Sequence, residues 1–383
     1  MKTESYSSFR QRIHISAVNI GYPLRIMFEL TYRCNFKCPH CYVPQSYKND
    51  KRRELGTQEI FFILEQLREA GSLYLGFTGG EPFLREDIIE IIRFAKRCGF
   101  QILIYTNGSL INEKIAMELK RLRPIKIDIT IPALSKVPFE RISGVPGSRD
   151  QVFNSIRFLH KNGIHLGFKC NVVKENEAEI EKIQRFSDSL GVPYRLNYFL
   201  WPCLDGSKKP YLHPGTRINK THTPSLDIME NDLRNCLSDP LLSVAGGQSN
   251  PETSLRTLMN QTRETHSLFP CGVGLMQAAI TPFGELKMCV MIDYPKYNLQ
   301  DSSFKDTWER LKALVRNIKP DEKYQCDTCE LENYCNRCPA LSWIKNGDFT
   351  SCVLENPNQA AIDYNRNKAY GIGLLKKANS IPD

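Results

Sequence analysis

The chain reads as an α/β protein, a six-unit partial barrel followed by a small cysteine-rich region, on three observations. Apolar, β-branched runs alternate with helix-like segments six times between Arg25 and Phe199. That alternation spans about 175 residues, short of the roughly 250 that a closed eight-fold barrel needs. Beyond it the 383-residue chain is punctuated by cysteine, with seven of its fourteen between Cys271 and Cys352.

The elements follow in order. Residues 1–23 read as a loosely structured lead-in. Strands are expected at Arg25–Thr31, Leu73–Thr78, Gln101–Thr106, Lys126–Ile131, His165–Val172 and Pro193–Phe199. Helices are expected at Gly56–Ala70, Glu86–Cys98, Asn112–Arg121, Asp150–Lys161 and Glu177–Leu190. Thr57, ahead of Gln58 and Glu59, and Asn112, ahead of Glu113, are candidate N-caps. Gly99, Gly163 and Gly191 stand where a left-handed C-terminal cap belongs. Such an order predicts a parallel sheet with right-handed crossovers and a site at the C-terminal strand ends. Residues 202–265 turn rich in Pro, Gly, Ser and Asn and read as a bridge with one or two helices. A hairpin is expected from Gln277–Ile280, a turn at Pro282–Gly284, and Glu285–Val290. Residues 357–379 read as helical. The division is therefore a lead-in at 1–23, a barrel at 24–201, a bridge at 202–265, a cysteine-rich domain at 266–355, and a helix and tail at 356–383.

Composition excludes several classes. With 41% apolar and 24% charged residues the chain is not disordered. It has no apolar run of about 18 residues and no signal-peptide core, so a cytoplasmic protein without a membrane span is expected. Net charge is +9, a mild excess that favours anionic partners. The short basic stretch Lys48–Arg53 has no interleaved aromatics and reads as a solvated loop, so no nucleic-acid partner is expected.

Cysteine clusters in a reducing compartment point to metal or redox sites rather than disulfides. Cys34, Cys38 and Cys41 place three thiols in eight residues just after the first strand. Iron–sulfur cubanes are held by thiolates, usually four, so three would leave one iron open. Zinc, with His40 as fourth ligand, is the alternative on spacing alone. In the later group, paired C-x2-C units read by themselves as a zinc ribbon, yet seven thiolates exceed one zinc site. Cys98 and Cys170 read as small buried hydrophobes, and Cys203 stands on the side of the strand ends.

The C-x3-C-x2-C spacing, with Thr78-Gly79-Gly80-Glu81-Pro82 closing the second strand, resembles the radical S-adenosylmethionine (SAM) superfamily and its Gly-Gly-Glu motif. The resemblance implies a TIM-like partial barrel and a [4Fe-4S] cluster on Cys34, Cys38 and Cys41, whose open iron takes the methionine part of SAM. Gly79, Gly80 and Glu81 would meet the methionine ammonium, the glycines by letting backbone approach the ligand. His40 stands where the family usually has an aromatic residue near the adenine, and Tyr42 follows at once. Asn107 and Thr130, at the ends of strands three and four, and Asn171 match by position more loosely. Lys169 or Arg195 would pair with the methionine carboxylate.

Cys271, Gly284-x4-Cys289, Cys326-x2-Cys329-x5-Cys335-x2-Cys338 and Cys352 resemble the SPASM extension of peptide and protein maturases. This implies two auxiliary [4Fe-4S] clusters, one on Cys271, Cys289 and Cys338, the other on Cys326, Cys329, Cys335 and Cys352. Cys236 is a candidate further ligand of the first. Together the resemblances imply an oxidoreductase or maturase that cleaves SAM to a 5′-deoxyadenosyl radical and abstracts hydrogen from a precursor peptide or protein. A crosslink, thioether or excised backbone fragment would result. An external electron donor such as flavodoxin or ferredoxin is implied. Only 33 residues precede Cys34, too few for a leader-binding module, so a separate leader-recognition protein is expected. Val290 after Cys289 departs from the aspartate of sulfatase maturases and ranks that activity low. Tailoring of a small molecule such as a tetrapyrrole fits almost as well. An iron–sulfur or zinc binding protein without catalysis leaves Gly79–Glu81 unexplained.

Overall fold

The computed structural model describes residues 6–197, 200–207, 268–269, 271–328 and 338–352. Six strands alternate with helices, as expected: β1 (Arg25–Thr31), β2 (Tyr74–Gly79), β3 (Gln101–Thr106), β4 (Lys126–Thr130), β5 (Leu166–Asn171) and β6 (Tyr194–Asn197). Neighbours pair parallel throughout, giving the partial barrel. Period-2 alternation sorts each strand into two faces. On β1, Ile26, Phe28 and Leu30 enter the core against the helices, while Met27, Glu29 and Thr31 take the inner face.

The intervening helices are α2 (Gln45–Lys48), α3 (Thr57–Glu69), α4 (Ile88–Arg97), α5 (Glu113–Leu122), α6 (Lys136–Ser143), α7 (Ser148–Lys161) and α8 (Ile180–Ser189). They pack by helical periodicity; α4 buries Ile88, Ile91, Ile92 and Ala95. Asn112 caps α5, its side chain accepting from the Ile115 amide at 2.9 Å. Gly99, Gly163 and Gly191 all have left-handed φ values, as predicted. Thr57 is not a cap. Gly56 holds that position, Glu59 reaches back to its amide at 2.7 Å, and the Thr57 hydroxyl donates to Asp87.

Two departures have physical causes. The expected loose lead-in contains α1 (Tyr6–Ile20). Ala17 and Val18 are buried, and the open carbonyls at its end are capped from far away. Arg316 donates to Asn19 and Ile20 and the Trp308 indole to Gly21, both from α9 (Phe304–Asn317). The hairpin β7 (Gln277–Ile280) and β8 (Glu285–Lys287) forms as expected, but it is not separate from the barrel. β7 pairs parallel with β1, and β9 (Tyr297–Asn298) follows β8, so one sheet runs β6-β5-β4-β3-β2-β1-β7-β8-β9. The last described helix is α10 (Pro339–Asn346). Most of 202–265, and all of 357–379, lie outside the described residues. Among the described residues no helix is long and apolar enough to cross a membrane.

Candidate active site at the strand ends

The three-thiol loop leaves the end of β1 and is pinned from three sides. Asn35 donates to Ser109 at 2.8 Å and accepts from Asn107 at 2.9 Å, tying it to the loop after β3. The Lys37 amide donates to Ser143 at the end of α6. After β6, the Cys203 thiol donates to the Cys41 carbonyl at 3.5 Å and the Leu204 amide to the Tyr42 carbonyl at 3.0 Å. None of the three cysteines is in a disulfide. Burial raises the Cys34 thiol and pushes Cys38 up to about 12, with the neighbouring thiols adding to both. Among the described residues no three His, Cys, Asp or Glu side chains stand tightly enough to hold a metal as they are placed. The donor set nevertheless fits an iron–sulfur cluster in kind: free sulfur ligands, and a buried His40 Nδ1 that has no hydrogen-bond partner.

Gly79 and Gly80 have a packing role beside the one their motif implies. A Cβ on Gly80 would lie 2.2 Å from the Arg33 carbonyl oxygen and 2.6 Å from that of Tyr32. A Cβ on Gly79, at φ +122°, would lie 2.2 Å from the Thr31 oxygen. Their bareness lets the end of β2 lie on the start of the thiol loop, where Gly80 N–H donates to Thr31 and Glu81 N–H to Arg33. Gly80→Ala is expected to lower both the unfolding midpoint and the iron bound at this loop. Gly56→Ala, with nothing closer than 3.5 Å, is expected to leave both near wild type in parallel denaturation and iron assays.

Glu81 is likewise engaged by its neighbours. Its carboxylate is fully buried and accepts from the Thr106 hydroxyl (2.7 Å), the Asn107 amide (2.7 Å) and the Phe83 amide (3.1 Å). It positions the Asn107 loop. Burial raises its pKa to about 7 against these hydrogen bonds. A carboxyl raised in the folded state binds more protons than in the unfolded chain, so this group removes stability as pH rises from about 4.5 to about 7. Glu81→Gln is expected to flatten that part of the stability profile, measured by urea midpoints across the window, and to weaken the fold at pH 8.

The inner face gathers the remaining predicted residues. Thr130, Lys169 and Arg195 stand side by side on β4, β5 and β6. Burial, with the nearby Arg195 charge, pushes Lys169 down to about 8. Among the described residues Lys169 has no ion pair or hydrogen bond, whereas Arg195 lies 3.6 Å from Asp128. His40 lies near enough to Lys169 for that charge to assist burial in lowering it to about 4. Asn171 accepts from Asn197 at 2.9 Å and is engaged in the strand end. The Tyr42 hydroxyl bonds Thr78. Sequence reasoning missed Asp128, which also pairs with Lys126 at 2.9 Å, although it sits two residues before Thr130 on the same face. Gly167 makes room for that pair; a Cβ there would be 2.1 Å from the Asp128 carboxylate. It also missed Cys203 as a brace of the loop, because only the tertiary fold brings residues 41 and 203 together.

The second cysteine group is brought partly together. Burial pushes Cys289 up to about 12, and the neighbouring Cys338 and Cys271 add to it, so these three share one locality. Four aromatic rings near these cysteines in the sequence pack on one another. Trp343 stacks on Phe349 (4.7 Å) and Tyr294 (5.4 Å), and Phe269 meets Phe349 edge-on at 5.2 Å. Each ring lies within five residues of Cys271, Cys289, Cys338 or Cys352. Cys326 and Cys352 are described, but Cys329, Cys335 and Cys236 lie outside the described residues. The two groups meet at Tyr42, whose proton is held by burial and by the charges of Glu29, Cys41 and Cys289. Beneath them the fully buried Lys287 on β8 pairs with the fully buried Glu29 on β1 at 3.0 Å.

A thiol loop at the end of β1, braced by a Gly-Gly-Glu turn on a parallel partial barrel, defines a radical SAM enzyme, and residues 28–187 match the radical SAM superfamily. Those residues form a radical SAM domain, and the protein is an enzyme. It is 24% identical over 351 residues to an AdoMet-dependent heme synthase of Oleidesulfovibrio alaskensis, covering 88% of this chain and 89% of that one. It is 26% identical over 346 residues to the PqqA peptide cyclase of Gluconobacter oxydans, covering 86% and 90%. The crystal structure of Streptococcus suis SuiB bound to S-adenosylmethionine shares its fold, with a TM-score of 0.63 at 16% identity over 92% of this chain and 83% of that one.

Proposed function

We propose that this enzyme is a radical SAM maturase of the SPASM type that oxidatively modifies a ribosomally made peptide or protein. The observation that carries this reading is the second thiol group, Cys271, Cys289 and Cys338, set just outside the β7–β8 hairpin that continues the radical SAM sheet and at the start of α10, and reaching the first group at Tyr42. A cluster and SAM bound at Cys34, Cys38 and Cys41 would supply a 5′-deoxyadenosyl radical able to abstract an unactivated hydrogen. Auxiliary [4Fe-4S] clusters at the later cysteines would accept an electron, which makes the outcome a net oxidation. The chain's own residues orient and enclose. Lys169 offers an ammonium to a carboxylate, His40 and Tyr42 wall the inner face, and the Glu81 lock fixes the loop carrying Asn107. A precursor peptide, a separate recognition protein and a cytoplasmic flavodoxin or ferredoxin complete the reading. Its support is the similarity to the PqqA peptide cyclase.

A second reading is carried by the similarity to AdoMet-dependent heme synthase: the substrate is a tetrapyrrole whose carboxylates meet Lys169 and Arg195. One experiment separates the two. The reconstituted enzyme, SAM and a reductant are incubated with short peptides encoded beside its gene, or with an iron porphyrin bearing propionates. Peptide maturation predicts 5′-deoxyadenosine together with a peptide lighter by two hydrogens or by a backbone fragment. Turnover confined to the porphyrin would replace it with the tetrapyrrole reading.

A further inference from the structure

More than half of the net charge of +9 lies on the loop that carries the first thiols. The stretch from Arg33 to Arg53 holds six Lys or Arg and a single Asp. Its arginines are committed: Arg33 lies 3.4 Å from Glu54, Arg52 lies 2.9 Å from both Asp50 and Glu285, and Arg53 lies 2.6 Å from Glu59. Its lysines are not. Among the described residues Lys37, Lys48 and Lys51 form no ion pair. Lys37 and Lys51 are exposed. Lys48, half-buried at the end of α2, acts electrostatically on both Cys34 and Cys38. Lys37 directly precedes Cys38 and Lys51 stands three residues beyond Lys48, so the unpaired ammonium groups lie on the stretch that carries the thiols. An anionic substrate already has cations of its own on the inner face, Lys169 and Arg195.

We propose that Lys37, Lys48 and Lys51 form the docking surface of an acidic one-electron-donor protein that reduces the cluster held by Cys34, Cys38 and Cys41. The inference rests on the radical SAM/SPASM reading above. One electron passes from the donor to the cluster; the donor is oxidised by one electron, and no bond forms or breaks. Charge complementarity of this kind raises the encounter rate and makes it sensitive to salt. The cations also lie on the ligand loop itself, so docking there brings the donor to the thiols without crossing the inner face.

The test uses the reconstituted enzyme and its Lys37→Glu/Lys51→Glu variant, which leaves Lys48 and every thiol in place. Cluster bleaching is followed with reduced flavodoxin and, separately, with reduced methyl viologen, a small cation. The proposal expects the flavodoxin rate to fall about tenfold and to lose most of its salt dependence. The methyl viologen rate is expected to hold or rise. A second measurement needs no cluster: oxidised flavodoxin is titrated onto the metal-free protein, and its affinity is expected to fall in the variant. An unchanged flavodoxin rate and affinity would overturn the proposal, as would a variant that loses affinity only for an anionic peptide. Failure of methyl viologen to reduce wild type at all would instead count against the cluster, and so against the function on which the proposal rests.

Discussion

Changing Cys34, Cys38 and Cys41 together to Ala is expected to lower reconstituted iron from about twelve to about eight per chain and to abolish SAM cleavage. The fold should survive, because the loop is held by groups other than the thiols. Asn35, Lys37 and Tyr42 bind it to the loop after β3, to α6 and to residue 204 through amides and carbonyls. Iron and acid-labile sulfide, counted beside a thermal melt, check both halves of the expectation. About four irons in the wild-type protein would remove the auxiliary clusters from the reading. Iron unchanged in the variant would remove the catalytic one. Loading should release protons and be slower at low pH, since burial raises the Cys34 and Cys38 thiols and iron is held by thiolates.

Lys287→Met is expected to cost about 3–5 kcal/mol, the usual result of leaving one member of a buried pair alone. Lys287 and Glu29 are both fully buried, 3.0 Å apart, and the Tyr32 hydroxyl donates to the same Glu29 oxygen at 3.1 Å. In the intact protein burial raises the Glu29 pKa while Lys287 opposes it. Without the lysine the carboxyl rises further, so the folded state binds more protons than the unfolded one over a wider range. The variant should therefore lose stability as pH rises above the ordinary Glu value and recover part of it in acid. Glu29→Gln/Lys287→Met, which removes both charges, should regain most of the loss in urea titrations. If the single variant proves as stable as wild type at neutral pH, the pair is not a closed ionic contact. Lys287 lies two residues from Cys289, so the single variant should also bind less iron at the second group.

The six barrel strands were legible to within two residues at either end, because alternating β-branched runs bounded by Gly and Pro leave little choice. The thiol loop was legible because its three cysteines are local in sequence. What failed was non-local. α1 has no acidic residue in its first turn and no basic residue in its last, and its caps come from Arg316 and Trp308, about three hundred positions away. α9 and α10 were hidden among the cysteines, where spacing drew attention from periodicity. The structural role of Glu81 was hidden for a related reason. A carboxylate in a family motif reads as a ligand, and only the positions of Thr106 and Asn107 show that it also locks the loop after β3. The parallel pairing of β7 with β1 carries no local signal at all, since a register between Arg25 and Gln277 is set by everything that lies between them.

That pairing has a consequence for the protein's synthesis. As the chain leaves the ribosome, β1 can find β2 after about fifty residues. Its other edge has no partner until residue 277 has been made. Through that interval an apolar strand, Ile26 to Thr31, presents an open row of amides and carbonyls to any neighbouring chain. A message or protein cut short between the barrel and the hairpin would carry that edge permanently, beside a thiol loop able to take up iron. Incomplete chains of this enzyme should therefore be sticky and metal-laden rather than inert, a hazard met by chaperones and proteases during translation.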